Sequence, residues 1–181
     1  LTKEVLAGKS SLEKSFIVNG HEYTVLAELI NPVVSLVIFG AGNDVLPLVT
    51  IAGVLAWQIT LIDGRPSYAT CQRFPAAHQV LVADAEQALS GLIIDEQTVF
   101  VLMTHNYNYD LAILQQLIHQ EVSYIGVLGP KKKLNRMLQE LSSKNIREEE
   151  NEFDNIYGPV GLDIGAETAE EIALSVIAEI K

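Results

Sequence analysis

From residue 33 onward, short apolar runs rich in β-branched residues alternate with longer stretches whose apolar positions recur at helical spacing. Val33 to Phe39, Gln58 to Ile62, Gln79 to Val82, Thr98 to Thr104 and Ser123 to Leu128 read as strands. Most are apolar on both faces, the pattern of strands in a parallel sheet covered by helices on each side. Between them, Asp44 to Leu55, Asp84 to Gly91, Tyr109 to Gln120 and Lys131 to Ser143 are compatible with helices. The alternation predicts an α/β fold with a doubly wound parallel sheet over residues 33–181.

The ends of this pattern are distinct. A last helix begins at Thr168, whose hydroxyl and the Glu171 carboxylate form a capping-box spacing, and Ile172, Ala173, Val176, Ile177 and Ile180 share one face. Residues 1–32 read differently: Ser15 to Val18 and Glu22 to Leu26 flank Asn19-Gly20. Asn-Gly tolerates positive φ at both turn positions, so this segment predicts a short β-hairpin region, the remnant of a preceding β-rich domain or an edge addition to the sheet. Ser143 to Asn155, with Glu148, Glu149 and Glu150, reads as a solvated loop.

Composition narrows the classes of partner. With 12 Lys and Arg against 23 Asp and Glu, the 181-residue chain carries a formal charge of −11. General nucleic-acid binding needs a basic face to displace counterions, and is excluded. A phosphate-bearing ligand must be met by local geometry instead. No apolar run reaches the ~18 residues of a membrane span, the start lacks the pattern of a signal peptide, and the cytoplasm is expected. The single cysteine, Cys71, fits a reducing compartment and forms no framework; nothing beside it activates the thiol, and it reads as structural. Trp57 and Met103 read as core residues.

Candidate chemistry gathers at the carboxyl ends of the strands. The first leads into Gly40-Ala41-Gly42 and a helix, the start of a dinucleotide site in which backbone amides meet phosphate at a helix N-terminus. Val45 replaces the third glycine of that fingerprint, and Asp44, most simply a helix cap, puts a carboxylate where a diphosphate would sit. Asp63, at the end of the second strand, is spaced to accept from a ribose hydroxyl, and Arg65 to meet a 2′-phosphate. If the strand order reverses about the first strand, the fourth lies beside it, and Thr104, His105 and the glycine turn face one crevice. Asn106 and Asp110 are placed to orient His105. No spacing among His21, His78, His105 and His119 suggests a metal site. Lys131, Lys132 and Lys133 open a helix after Gly129-Pro130, opposing its dipole unless an anion lies nearby. Finally, Pro159 to Thr168 is a glycine-spaced loop around Asp163, serving as a chain reversal or a binding loop.

These stretches together resemble the C-terminal domain of the XdhC/CoxI-type xanthine dehydrogenase accessory proteins. The resemblance rests on Leu36 to Asp44, Ile62 to Pro66, Arg73-Phe74-Pro75, Val101 to Tyr107 with Asp110, Tyr124 to Lys133, and Gly158 to Thr168. It implies a Rossmann-like domain of a maturation chaperone without catalytic residues of its own. Such a factor holds the molybdenum cofactor, a molybdopterin, for sulfuration and delivers it to an apo xanthine dehydrogenase-type molybdoenzyme. The implied partners are that enzyme and a sulfur-donating cysteine desulfurase, with no nucleic acid or membrane, and the implied assembly is a homo-oligomer. The cofactor-binding residues would be Gly40, Ala41, Gly42, Asn43, Asp63, Arg65, Thr104, His105, Gly129, Lys131 and Asp163. The family usually has a longer, cysteine-bearing first domain, and many members have His at the place of Asn43. Read from the residues alone, two alternatives stand: an NAD(P)-dependent oxidoreductase with His105 as acid–base group, or a non-catalytic nucleotide-sensing domain.

Overall fold

The computed structural model describes residues 1–143 and 153–181, which form two compact units, Leu1–Pro32 and Val33–Lys181. The expected solvated loop falls mostly at 144–152, outside the described residues. In the first unit a helix, α1 (Thr2–Gly8), precedes a hairpin of β1 (Leu12–Val18) and β2 (His21–Ala27) paired from Leu12↔Ala27 to Val18↔His21. Asn19 and Gly20 take φ of 53° and 78°, the two positive values of a tight hairpin turn whose twist matches its strands. The helix was not expected from the sequence; it ends at Lys9 in the left-handed region, without glycine.

The second unit is a six-stranded, all-parallel sheet in the order β5-β4-β3-β6-β7-β8. Its strands are β3 (Ser35–Phe39), β4 (Gln58–Asp63), β5 (Gln79–Val82), β6 (Thr98–Leu102), β7 (Tyr124–Val127) and β8 (Ile156–Tyr157). The helices are α2 (Val45–Val54), α3 (Tyr107–Leu117), α4 (Lys131–Ser143) and α5 (Ala169–Ile180). Side chains alternate across a strand, and each face builds its own core. Leu36 and Ile38 pack with Leu48, Val49, Val176 and Ile177 of α2 and α5, while Val37 and Phe39 pack with Ile113, Leu114, Leu134 and Met137 of α3 and α4. Trp57 and Met103 lie in the first core. The order reverses between β3 and β6, so the crevice expected of a doubly wound sheet opens at their carboxyl ends.

One helix expectation is corrected. Asp84 to Gly91 is a series of turns: Gln87, Ala88, Ser90 and Leu92 each donate to the carbonyl three residues back, and Gly91 at φ 80° ends the run. Only Ala85 and Ala88 are buried there, too little apolar surface to hold a regular helix against the sheet. Among the described residues no helix is long and apolar enough to cross a membrane.

Candidate functional site

The glycine turn is built by close approach. Gly40 has φ 120°, and a Cβ there would lie 2.4 Å from the Met103 carbonyl oxygen, so only glycine lets the ends of β3 and β6 pass. The Gly40 N–H donates to Ile62 O (2.8 Å) and the Ala41 N–H to Asp63 Oδ2 (2.7 Å). From the other side Arg73 Nη1 donates to Ala41 O (2.6 Å) and Tyr68 O (2.8 Å), and Nη2 donates to Asn43 Oδ1 (2.7 Å). Ala41 is thus gripped through both its amide and its carbonyl.

Asp63 is buried, at 3% exposure, with both oxygens committed. Oδ1 accepts from Arg65 N (2.8 Å) and Nε (2.9 Å), and Oδ2 from Arg65 Nη2 (2.6 Å) as well as from Ala41. Burial pushes its pKa up, but the hydrogen bonds from the Arg65 side chain and from the Arg65 and Ala41 amides, with the guanidinium charge, hold it below its ordinary value. Asp63 and Arg65, expected at a ribose and a 2′-phosphate, satisfy each other here, so a ribose would have to displace the pair. Tyr68 presents its ring to both guanidinium groups, at 4.2 Å from Arg65 and 5.2 Å from Arg73.

Asp44 does not cap α2; no hydrogen bond runs from its side chain to the helix amides. Its carboxylate instead folds over Gly42, where an added Cβ would meet Asp44 Oδ1 at 2.2 Å, and Oδ2 accepts from His105 Nε2 at 2.7 Å. His105 follows β6 in the left-handed region, φ 57°, a conformation histidine adopts at some cost. The orienting partners expected for it are elsewhere. Asn106 caps α3, its side chain accepting from Asn108 N and Tyr109 N. Asp110, fully buried, accepts from Thr104 Oγ1 (2.6 Å) and Lys133 Nζ (2.6 Å).

This last pair corrects the reading of the lysine run. Lys133 Nζ also donates to Leu128 O (2.8 Å), so its charge neutralises Asp110 and ties the end of β7 to α3. Arg136 donates to Glu140 (3.0 Å) and stacks on Tyr107. Lys131 and Lys132 remain exposed at the start of α4, with no ion-pair partner among the described residues. Cys71 is exposed rather than packed.

Two clefts border the crevice. One, of about 370 Å³, is polar and lies among Asp63, Arg65, Asp84, Thr104, His105 and Tyr109. Tyr109 donates to Ala83 O (2.7 Å), and burial, with the charges of Asp63, Asp84, Glu86 and Asp110, pushes its pKa up to about 12. The other, of about 510 Å³, lies at the end of β7 against α5 and takes in Gly129, Val160 and Asp163. The structure thus gathers Gly40, Ala41, Gly42, Asn43, Asp63, Arg65, Thr104 and His105 around the β3–β6 reversal, and Gly129 with Asp163 in the second cleft. Lys131 stands two residues beyond Gly129.

Reading the sequence for site residues missed Arg73, Tyr68, Tyr109 and Glu179. Arg73 was legible as a cation in the irregular segment between β4 and β5 of an acidic chain. Glu179 carried a signal too: a carboxylate near the C-terminus of α5 opposes the dipole and needs a reason. That reason is the Gly161 N–H (2.8 Å) and the Tyr124 hydroxyl, both donating to Oε2. Among the described residues no three His, Cys, Asp or Glu side chains gather as a metal ion would require.

A parallel sheet with reversed strand order, a glycine turn between β3 and α2, and clefts at its carboxyl edge define a Rossmann-type domain. Residues 36–180 match the model of the XdhC Rossmann domain, and the chain belongs to the XdhC family of xanthine dehydrogenase accessory proteins. It is 40% identical over 151 residues to a Bacillus subtilis protein named as a probable xanthine dehydrogenase subunit, covering 83% of this chain and 43% of that one. It is 27% identical over 149 residues to the Escherichia coli molybdenum cofactor insertion chaperone PaoD, covering 82% and 40%. A Bacillus halodurans crystal structure described as a xanthine dehydrogenase superposes with a TM-score of 0.73 at 35% identity, over 88% of this chain and 44% of that one. The chain spans less than half the length of these relatives.

Proposed function

We propose that this domain holds the molybdenum cofactor during its maturation and passes it to an apo xanthine dehydrogenase-type enzyme, with a cysteine desulfurase supplying the sulfur. The observation that carries this reading is the 510 Å³ cleft beside Gly129, a size that suits a small cofactor. The residues fit such a ligand: Gly129 brings backbone close to it, Lys131 offers a cation to its phosphate, and Asp163 faces its polar edge. Gly40 to Asn43 and His105 border the same crevice. The cofactor would supply the redox chemistry of the client enzyme; this domain's part is to bind, orient and shield it. Relatives named for xanthine dehydrogenase and for molybdenum cofactor insertion support the assignment.

The NAD(P) alternative meets two obstacles. The ribose-reading carboxylate, Asp63, is saturated by Ala41 and Arg65, and the Asp44 carboxylate lies over the glycine turn where a diphosphate would bind. The test is reconstitution. Cofactor-loaded full-length protein added to an apo xanthine dehydrogenase-type enzyme should restore more activity than an equal amount of free cofactor. No gain over free cofactor, or substrate-dependent NAD(P)H oxidation by the protein alone, would overturn the proposal.

A further inference from the structure

From Val45 to Val54, α2 carries no charged side chain, although one side of it faces solvent. A helix that is apolar all round belongs in a setting where protein covers it all round. Its inner side meets that rule, with Val45, Leu48, Val49 and Ala52 buried in the first core. Its outer side does not. Val54 is 82% exposed, and Leu55, just past the helix, is 44% exposed. Thr50 is the single polar side chain of the helix, and its hydroxyl donates to Leu46 O (2.8 Å), so that donor is satisfied within the helix.

The exposed side continues onto α5. Leu46, Pro47, Thr50, Ile51 and Glu170 line one groove of about 420 Å³, so the first turns of the two helices lie side by side. Residues three and four apart share a helix face, and the outward stripe of α5 runs through Glu170, Leu174, Ala178 and Lys181. Leu174 is 53% exposed, while Ala173, Val176 and Ile177 on the inner side are buried. The stripe is thus acidic at its start, apolar in its middle and basic at its end. Among the described residues neither Glu170 nor Lys181 takes part in an ion pair.

Run in the opposite direction, this stripe is its own complement. Two α5 helices packed antiparallel set Glu170 against the partner's Lys181 and Leu174 against the partner's Ala178, each contact occurring twice about a two-fold axis. The groove places Glu170 level with Leu46, Pro47 and Thr50, so the same axis crosses α2 between Thr50 and Val54. Thr50 then meets the partner's Val54, and Val54 the partner's Thr50. Such reciprocity is what a two-fold interface requires. A chain of net charge −11 repels its own copies over most of its surface. The outer side of α2 and the middle of α5 are free of that repulsion.

We infer that the α2–α5 face is the interface of a two-fold homodimer, built on antiparallel α2–α2 and α5–α5 contacts and closed by reciprocal Glu170–Lys181 pairs. The inference is independent of what the clefts at the carboxyl edge hold.

The test is sedimentation velocity of the full-length protein over micromolar concentrations. Wild type should be a dimer. Val54→Glu and Leu174→Glu alter exposed side chains, so the circular dichroism spectrum should stay unchanged. Each puts a charge into the apolar centre of the interface and should raise the dimer dissociation constant at least tenfold. Glu170→Lys and Lys181→Glu should each weaken the dimer by a smaller factor, and the chain with both reversed should recover most of the wild-type affinity, the effect fading at high salt. A monomeric wild type would overturn the interface, as would a dimer that tolerates both Val54→Glu and Leu174→Glu. Charge reversals that fail to rescue each other would also overturn it, because the antiparallel pairing predicts that they compensate.

Discussion

His105 Nε2 and Asp44 Oδ2 meet at 2.7 Å, joining the loop after β6 to the loop after β3 directly above the glycine turn. The contact sets the Asp44 carboxylate over the start of α2, against which an incoming diphosphate would be repelled. Asp44→Asn should therefore tighten binding of inorganic pyrophosphate several-fold, measured by calorimetry at low salt, while the melting temperature barely moves. An exposed pair of this kind contributes about 1 kcal/mol or less. Unchanged pyrophosphate affinity would show that the carboxylate does not guard the turn.

Arg73 supports the same turn from outside the sheet through Ala41 O, Tyr68 O and Asn43 Oδ1. Arg73→Ala should cost about 1.5–3 kcal/mol in chemical denaturation, since these bonds involve a charged donor. Arg73→Lys should recover little, because one ammonium cannot reproduce the planar fork. Full recovery by lysine would mean that charge alone matters here.

Asp110 is fully buried and depends on Lys133 for its counter-charge. Lys133→Met leaves that carboxylate unpaired and should destabilise the fold by roughly 3–5 kcal/mol. Adding Asp110→Asn should restore much of the loss. If the single variant is as stable as wild type, the pair does not hold α3 to the end of β7.

The two turn glycines should behave differently. A Cβ at Gly40 meets the Met103 backbone at 2.4 Å, and φ of 120° excludes relief, so Gly40→Ala should prevent stable folding. At Gly42 the Cβ meets only the movable Asp44 side chain, so Gly42→Ala should fold and lose the Asp44–His105 contact. Thermal melts of the two proteins decide it; equal stability would contradict this view of the turn.

Asp63 should mark the acid limb of stability. Its pKa lies below the ordinary 3.8 in the folded chain, so its contribution is complete above 3.8 and is lost as pH falls through the lower folded value. Asp63→Asn should flatten that part of the stability–pH curve. A wild-type acid limb retained in the variant would assign it to other carboxylates.

Much of this architecture could be read from residue patterns because the strands are buried on both faces, and such runs announce themselves. Leu36 to Phe39 and Val99 to Leu102 are continuous apolar stretches whose alternate side chains feed two different cores. The Thr168–Glu171 capping box is local chemistry, visible at a spacing of three residues, and forms as expected. The turns at Asp84 to Gly91 misled because two alanines at helical spacing look alike in a helix and in successive turns. β8 is only two residues long, beside a polar segment, too short to show a period.

The polar residues around the β3–β6 reversal were legible in their positions and not in their pairings. Asp63 and His105 stand at strand ends where a doubly wound sheet puts functional residues, and Lys133 in the first turn of the helix after β7, yet their partners are set by which loops the topology brings together. Asp44 meets His105 across 61 residues and Arg73 meets Ala41 across 32, contacts that no local spacing encodes. Asp63 shows the limit most plainly. Its place matches a ribose reader, and Arg65, two residues on, has already occupied it.

The most direct measurement of the central claim is mass spectrometry of the small molecule that co-purifies with the full-length protein under non-denaturing, anaerobic conditions. The proposal predicts a phosphorylated pterin with associated molybdenum, depleted in the Asp163→Asn protein. An intact NAD(P) dinucleotide in its place, with no pterin, would contradict it.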